Sequence, residues 1–198
     1  MQGFLKIPFA AKNLGADLIS ISSHKVHGPK GAGALYISPR IKSFPALLFG
    51  GGQESTYRSG TEATPAIFGF AAACAAVSKT FVEDAAREKA LLDSCIAQLS
   101  ALDGVRINGA HDAPHILSLS VPGVPTQNSL NVLQDAGICV SAGSACAKGH
   151  RSHTLTAMGL RPEIMDGSFR VSLCRDNTWE ELEKLAKVIE HDIIARFL

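Results

Sequence analysis

Ser22-Ser23-His24-Lys25-Val26-His27-Gly28-Pro29-Lys30-Gly31 is the stretch on which the reading of this chain turns. The run before it, Ala16-Asp17-Leu18-Ile19-Ser20-Ile21, is short, apolar and β-branched, and predicts a buried strand. Gly33-Ala34-Leu35-Tyr36-Ile37-Ser38, after it, predicts a second strand. Lys25 therefore falls where a strand ends and a Gly/Pro-rich turn begins. A lysine flanked there by hydroxyls and imidazoles suits an amine held in a cleft, able to form a Schiff base with an aldehyde cofactor. Attack needs the neutral amine, which burial and nearby cations favour; His24, His27 and Lys30 are close in sequence. The alternative for Lys25 is a plain strand-end cap.

The rest of the chain is consistent with an α/β protein. Leu47 to Glu54 is an apolar run that ends in glycines, and Tyr57-Arg58-Ser59-Gly60-Thr61-Glu62 is a polar loop. That loop suits an anionic group, or is simply a surface turn. Thr64 and Pro65 read as N-cap and first residue of a helix. Its periodicity runs from Ala66 to Leu102, with a bend expected near Thr80, and Asp103-Gly104 ends it. A second α/β unit follows. Strands are expected at Val105–Ile107, His115–Val121, Ile138–Ser141 and Phe169–Leu173. Helices are expected at Thr126–Ala136, stopped by Gly137, and at His153–Met158, closed by Gly159. Thr178 N-caps the last helix, with Glu181 completing a capping box, and that helix runs to about Phe197. The domain reading is 1–63, a connecting helix 64–102, and 103–198.

The 198 residues are 46% apolar, enough to bury a real core, and the formal charge is +1. Near-neutrality argues against nucleic acid or an anionic membrane as the main partner. Apolar runs fall far short of a membrane span, and no secretory signal opens the chain. The five cysteines are odd in number and form no C-x-x-C pair. Free thiols in a reducing cytosol therefore fit better than a disulfide framework or zinc site, and the location expected is cytoplasmic.

Cys146 sits in Ser141-Ala142-Gly143-Ser144-Ala145-Cys146-Ala147, among very small residues that leave its thiol uncrowded. Lys148, His150 and Arg151 are placed to stabilise a thiolate; the alternative is a small core residue. Cys74, Cys95 and Cys139 lie in apolar patterns and are read as core. Arg170 interrupts the alternating strand Phe169-Arg170-Val171-Ser172-Leu173. Such an arginine pairs with an anion, either a substrate carboxylate or an acidic side chain of the protein. The histidines show no metal-ligand spacing.

Ser-Ser-His-Lys-Val-His-Gly-Pro-Lys-Gly, Tyr-Arg-Ser-Gly-Thr, Ser-Ala-Gly-Ser-Ala-Cys-Ala and Phe-Arg-Val-Ser-Leu, in that order and spacing, resemble the cysteine desulfurases of the class V aminotransferase group. The resemblance covers essentially the whole chain and is to the long-loop branch, which feeds iron–sulfur cluster and thiolation pathways. It implies a fold-type-I transferase dependent on pyridoxal 5'-phosphate (PLP): the end of the large-domain sheet plus a complete small α/β domain. Carried over by motif, Lys25 is the lysine that forms the Schiff base with PLP. Ser22 and His24 resemble phosphate ligands, and Thr61 the threonine that reaches the phosphate of the neighbouring subunit in the family dimer. Gln2 resembles the glutamine that hydrogen-bonds the ring hydroxyl. Arg170 resembles the binder of the substrate carboxylate, and Cys146 the nucleophile that takes sulfur from L-cysteine as a persulfide.

A whole enzyme of this kind is about twice this length, and the expected remainder lies before Met1. It includes an aspartate for the pyridine nitrogen, three residues ahead of the position matched by Gln2. The expectation is therefore a C-terminal portion that is inactive alone, binds PLP weakly, and self-associates or pairs with an N-terminal half. The rival readings are another class V aminotransferase or a selenocysteine lyase, and a non-catalytic remnant that docks the sulfur acceptor.

Overall fold

Strand β1 (Leu18–Ser22) pairs antiparallel with β2 (Gly33–Ile37), Ser20 opposite Leu35. The computed structural model describes residues 2–110, 112–143 and 151–198, so Cys146 and its neighbours Lys148 and His150 lie outside the described residues. The chain divides into two compact units, one through Val82 and one from Glu83 to Leu198.

In the first unit, β1 is not the buried strand its composition predicts. Leu18 is 45% and Leu35 49% exposed. Among the described residues β1 pairs only with β2, and a two-stranded ribbon by itself leaves its faces open. The helix α1 (Thr64–Val77) packs instead on the turn between the strands, with Ala73 beside Gly28 and Pro29 beside Gly69. It is apolar around its whole circumference; Phe70 and Val77 are buried, whereas Ile67 and Phe68 face solvent. Thr64 is the first helical residue rather than the cap, which is Ala63, without a side-chain hydrogen bond. Pro65 sits in the first turn, where its missing N–H leaves no bond unmade. The long helix is interrupted at residues 78–80, close to the expected bend, and resumes as α2 (Phe81–Ser100).

The second unit is built on an antiparallel sheet of order β3-β4-β5: Arg106–Asn108, Ile116–Ser120 and Ser168–Ser172. Ser118 stands opposite Arg170, which fixes which face of β5 is apolar. Leu117, Leu119, Phe169 and Val171 join Leu92, Cys95 and Leu99 of α2 in one core. The helices α3 (Thr126–Asp135) and α6 (Trp179–Val188) add Leu133, Leu182 and Leu185 to it. Each fully buried leucine contributes roughly 1.5–3 kcal/mol, so this core is well supported where the first unit's is thin.

The termini of these helices follow local chemistry. Gly137, at φ +77°, stops α3, and Ile138 donates back to the Leu133 carbonyl at 2.8 Å. Thr178 accepts from the Glu181 N–H at 3.4 Å while Glu181 accepts from the Thr178 N–H at 3.1 Å, the expected capping box. The last helix then continues through a π-helical turn, Ile189–Ile194, to Phe197. Two short helices, α4 (His153–Ala157) and α5 (Pro162–Met165), lead into β5; α5 has no counterpart in the sequence reading. Ile138–Ser141 is not a full strand. Having turned back to cap α3, it meets the open edge of β5 only at Ser141, and Cys139 is exposed rather than part of the core. Among the described residues no single helix is long and apolar enough to cross a membrane.

Candidate active site

Lys25 lies in a 3-10 turn, Ser23–Val26, that follows directly on β1. Ser23 and Val26 are buried and pin the turn at both ends. Between them His24 is exposed and Lys25 half-buried. The Ser23 N–H donates to Ala32 O at 3.0 Å, and the Gly28 N–H to Ser23 O at 3.0 Å. The turn closes on His27 in the left-handed region, φ 64°, unusual for a residue with a side chain. Gly28 is required next: a Cβ there would stand 2.1 Å from Ser23 Oγ and 3.3 Å from Ala73 Cβ. Backbone bonds, a left-handed residue and a helix packed from outside thus hold one short turn rigid. Ser22, His24 and Lys25 supply a hydroxyl, an imidazole and an amine within four consecutive positions. No carboxylate occurs between Ser22 and Gly31.

Gln2 and Thr61 are on other turns of the same unit, and both are exposed. Gln2 stands at the head of a turn in which Lys6 and Ile7 donate to Gly3 O. Thr61 ends a loop tied by Leu47 N to Tyr57 O at 2.7 Å, by Ser59 N to Leu48 O at 3.0 Å, and by Gly60 N to Gln53 Oε1 at 3.2 Å. Glu54, Ser55 and Thr56 within that loop all have positive φ, at 50°, 54° and 72°. Strain of this kind is held only by surrounding bonds.

In the second unit, Arg170 is half-buried at the centre of β5. Its N–H donates to Ser141 O at 2.7 Å, and its carbonyl accepts from the Ser141 N–H at 3.1 Å. Its side chain donates from Nε to Ser172 Oγ at 3.2 Å. Among the described residues no carboxylate forms an ion pair with it, so the acidic side chain offered by one sequence reading is not found there. Arg170 lines a cavity of about 230 Å³ with Asn108, Ser118, Leu155 and Phe169. Ala142 and Gly143, just before the undescribed segment that bears Cys146, line the same cavity; so do Ser152 and Thr154, just after it. Both flanks of that segment therefore meet at the cavity that holds Arg170.

The described cysteines are free thiols. Burial pushes the Cys95 thiol up from 9.0 to about 11 and raises Cys74 as well. Burial disfavours the Cys95 thiolate at neutral pH, and the core also blocks access. In the native protein, iodoacetamide is therefore expected to modify exposed Cys139 at least about tenfold faster than buried Cys95, as read by mass spectrometry of the two peptides. Comparable rates would contradict the buried position of Cys95. Among the described residues no group of three His, Cys, Asp or Glu side chains is arranged to hold a metal ion.

Three features escape the sequence. Ser141 is the backbone partner of Arg170 from 29 positions away. Asn108, 4% exposed, lines that cavity and donates to Ser120 Oγ at 2.8 Å. Asp166 ion-pairs with Arg151. None leaves a periodic trace; the Ser141 run does alternate, but nothing local says which strand edge it meets.

The sequence profile of the aminotransferase class-V family matches residues 1–185. A protein of Bacillus subtilis (strain 168) named putative cysteine desulfurase IscS 1 is 38% identical over 202 residues, spanning 99% of this chain and 53% of that protein. The cysteine desulfurase IscS of Pseudomonas putida (strain KT2440) is 40% identical over 190 residues, 93% of this chain and 46% of its own length. Among solved structures, a NifS-like protein from Rickettsia africae superposes with TM-score 0.86 at 34% identity, covering 96% of this chain and 51% of the other. The chain spans about half the length of these relatives.

Proposed function

The chain belongs to the class-V aminotransferase family, and from that membership we propose that it carries the lysine, arginine and cysteine of a PLP-dependent cysteine desulfurase. The substrate is L-cysteine and the products are L-alanine and a persulfide on Cys146. That sulfur passes to an acceptor protein, such as an iron–sulfur scaffold, in the cytoplasm. The observation that carries the reading is the Arg170 cavity in the second unit: the flanks of the Cys146 segment line it together with Arg170. A carboxylate-binding arginine and a sulfur nucleophile would then serve the same small amino acid.

The first unit suits the cofactor. Lys25 is half-buried on a short turn, the hydroxyl of Ser22 and the imidazole of His24 would serve beside it as phosphate donors, and no carboxylate in that turn would repel a phosphate. Gln2 would meet the ring hydroxyl. Thr61, exposed on its loop, would reach the phosphate held by a second copy in a homodimer. PLP supplies an electron sink for the substrate's α-carbon. Lys25 would hold the cofactor and move protons to and from substrate carbon, while Arg170 would hold the carboxylate by two parallel hydrogen bonds. The Cys146 thiolate would then attack the substrate sulfur. The new S–S bond forms as the substrate's C–S bond breaks, and the electron pair left on carbon is protonated to give alanine.

Product analysis tests the proposal against its relatives in the fold. The assay uses the chain with PLP, L-cysteine and a dithiol, with the half of the relatives' length that it does not span supplied. L-alanine and sulfide in one-to-one yield are expected. A keto acid formed at the expense of an amino-group acceptor would instead assign an aminotransferase; activity confined to selenocysteine would assign a lyase for that substrate. Binding of an acceptor protein without any turnover would leave only a docking role.

A further inference from the structure

The sheet of the second unit has two faces of opposite character. Leu117, Leu119, Phe169 and Val171 point into the core. The residues between them, Ser118 on β4 and Arg170 on β5, therefore share the other face, and both line the Arg170 cavity. Strand pairing sets Asn108, Ser118 and Arg170 side by side across β3, β4 and β5. Arg170 exchanges both of its backbone hydrogen bonds with Ser141, on its other side. Its pairing with Ser118 is therefore of the non-hydrogen-bonded kind, the closer of the two, with Cα atoms about 4.5 Å apart. Asn108, on the far side of Ser118, is almost wholly buried. Its amide donates to Ser120 Oγ at 2.8 Å and, more weakly, to Ser118 Oγ at 3.4 Å. Ser118 is half-buried, and among the described residues its hydroxyl donates to no protein acceptor.

We propose that Ser118 is a second carboxylate donor of the Arg170 cavity: its hydroxyl, directly opposite Arg170 and backed by Asn108, donates to the carboxylate of the α-amino acid whose charge Arg170 pairs. The inference rests on the reading of Arg170 as the carboxylate binder, and names a further residue that touches the same ligand. The Arg170 side chain is oriented for such sharing. Its Nε is committed to Ser172 Oγ at 3.2 Å, two residues along the same strand face. That bond lays the side chain along β5, near the level of the Ser118 hydroxyl, and leaves the two Nη nitrogens for a ligand. Among the described residues no acidic side chain neutralises them. A carboxylate offers about four lone-pair sites, more than the Nη edge of one guanidinium fills. A neutral donor beside the guanidinium therefore adds a charge-assisted hydrogen bond and fixes the tilt of the carboxylate. A serine hydroxyl both donates and accepts. With Asn108 donating to its oxygen, the Ser118 proton is turned toward the cavity.

The first test needs neither PLP nor turnover. The full chain is titrated with L-alanine at neutral pH, and binding is read from the NMR shift of the Arg170 Nε–H. Wild type is compared with Ser118→Ala and Ser118→Thr. Ser118→Ala removes one oxygen from a half-buried position, so the fold is retained. Its Kd for L-alanine is expected to rise about three- to tenfold, the loss of one hydrogen bond to a charged group in a site open to water. Ser118→Thr keeps the hydroxyl and suits a strand, and should stay within about twofold of wild type. In the assembly with the complementary half, Ser118→Ala should raise KM for L-cysteine by a similar factor and leave kcat within about twofold, as loss of uniform binding does. L-alanine binding by Ser118→Ala equal to that of wild type, or a Ser118→Thr as weak as Ser118→Ala, would overturn the proposal. So would a wild-type Arg170 that does not respond to L-alanine. Failure of the desulfurase reading shows differently: L-alanine binding keeps its dependence on Ser118, which upholds the assignment, while the wild-type assembly releases no sulfide.

Discussion

Lys25→Ala is expected to abolish the selective capture of PLP. When the chain is incubated with PLP and reduced with borohydride, the pyridoxyl label should concentrate on the Lys25 peptide, at least about tenfold above exposed lysines such as Lys30 and Lys79. In the variant only the low, even labelling of the other lysines should remain. The reason is local: buried Ser23 and Val26 fix the turn, and Lys25 is held half-buried between them. Lys25→Arg should fail as completely as Lys25→Ala, because a guanidinium does not deprotonate. A merely electrostatic role would instead survive that change. Even labelling of all lysines in the wild type would remove Lys25 from the site.

Cys146→Ala should lower sulfide release from L-cysteine by about a thousandfold or more, as removal of a nucleophile does, in the assembly with the complementary half. Capture of PLP at Lys25 should be unchanged. That separation matters, because loss of both would point to misfolding and retention of both would point to another sulfur acceptor. Cys139 is the informative control. It is exposed, yet it lies three residues before the Ala142–Gly143 cavity rim, and Cys139→Ala should leave sulfide release within about twofold of wild type.

Features that depend on neighbouring residues in the chain were legible before the structure. The Thr178–Glu181 capping box, the stop at Gly137 and the turn after β1 each follow from chemistry within a few positions. Burial was less legible. Leu18, Ile19 and Ile21 have the composition of an interior strand, but composition cannot count the layers above a strand, and this ribbon has only two strands. Cys139 was misread for the same reason: an apolar alternating run says which residues share a face, not whether anything covers it. Arg170 stood out as a charge inside an apolar strand. What the sequence did not reveal is that its backbone partner is Ser141, or that Asp166 ion-pairs with Arg151, 15 positions away. Such contacts are set by the sheet's topology and carry no local period.

The account depends most on one amine and one thiol of this chain serving the same L-cysteine. Mass spectrometry of the Cys146 peptide tests that directly, after exposure of the assembled protein to PLP and L-cysteine without a reducing thiol. One added sulfur atom on Cys146 is predicted in the wild type, and none in Lys25→Ala. Sulfur on Cys146 that forms equally without Lys25, or a wild-type Cys146 that stays an unmodified thiol while L-cysteine is consumed, would contradict it.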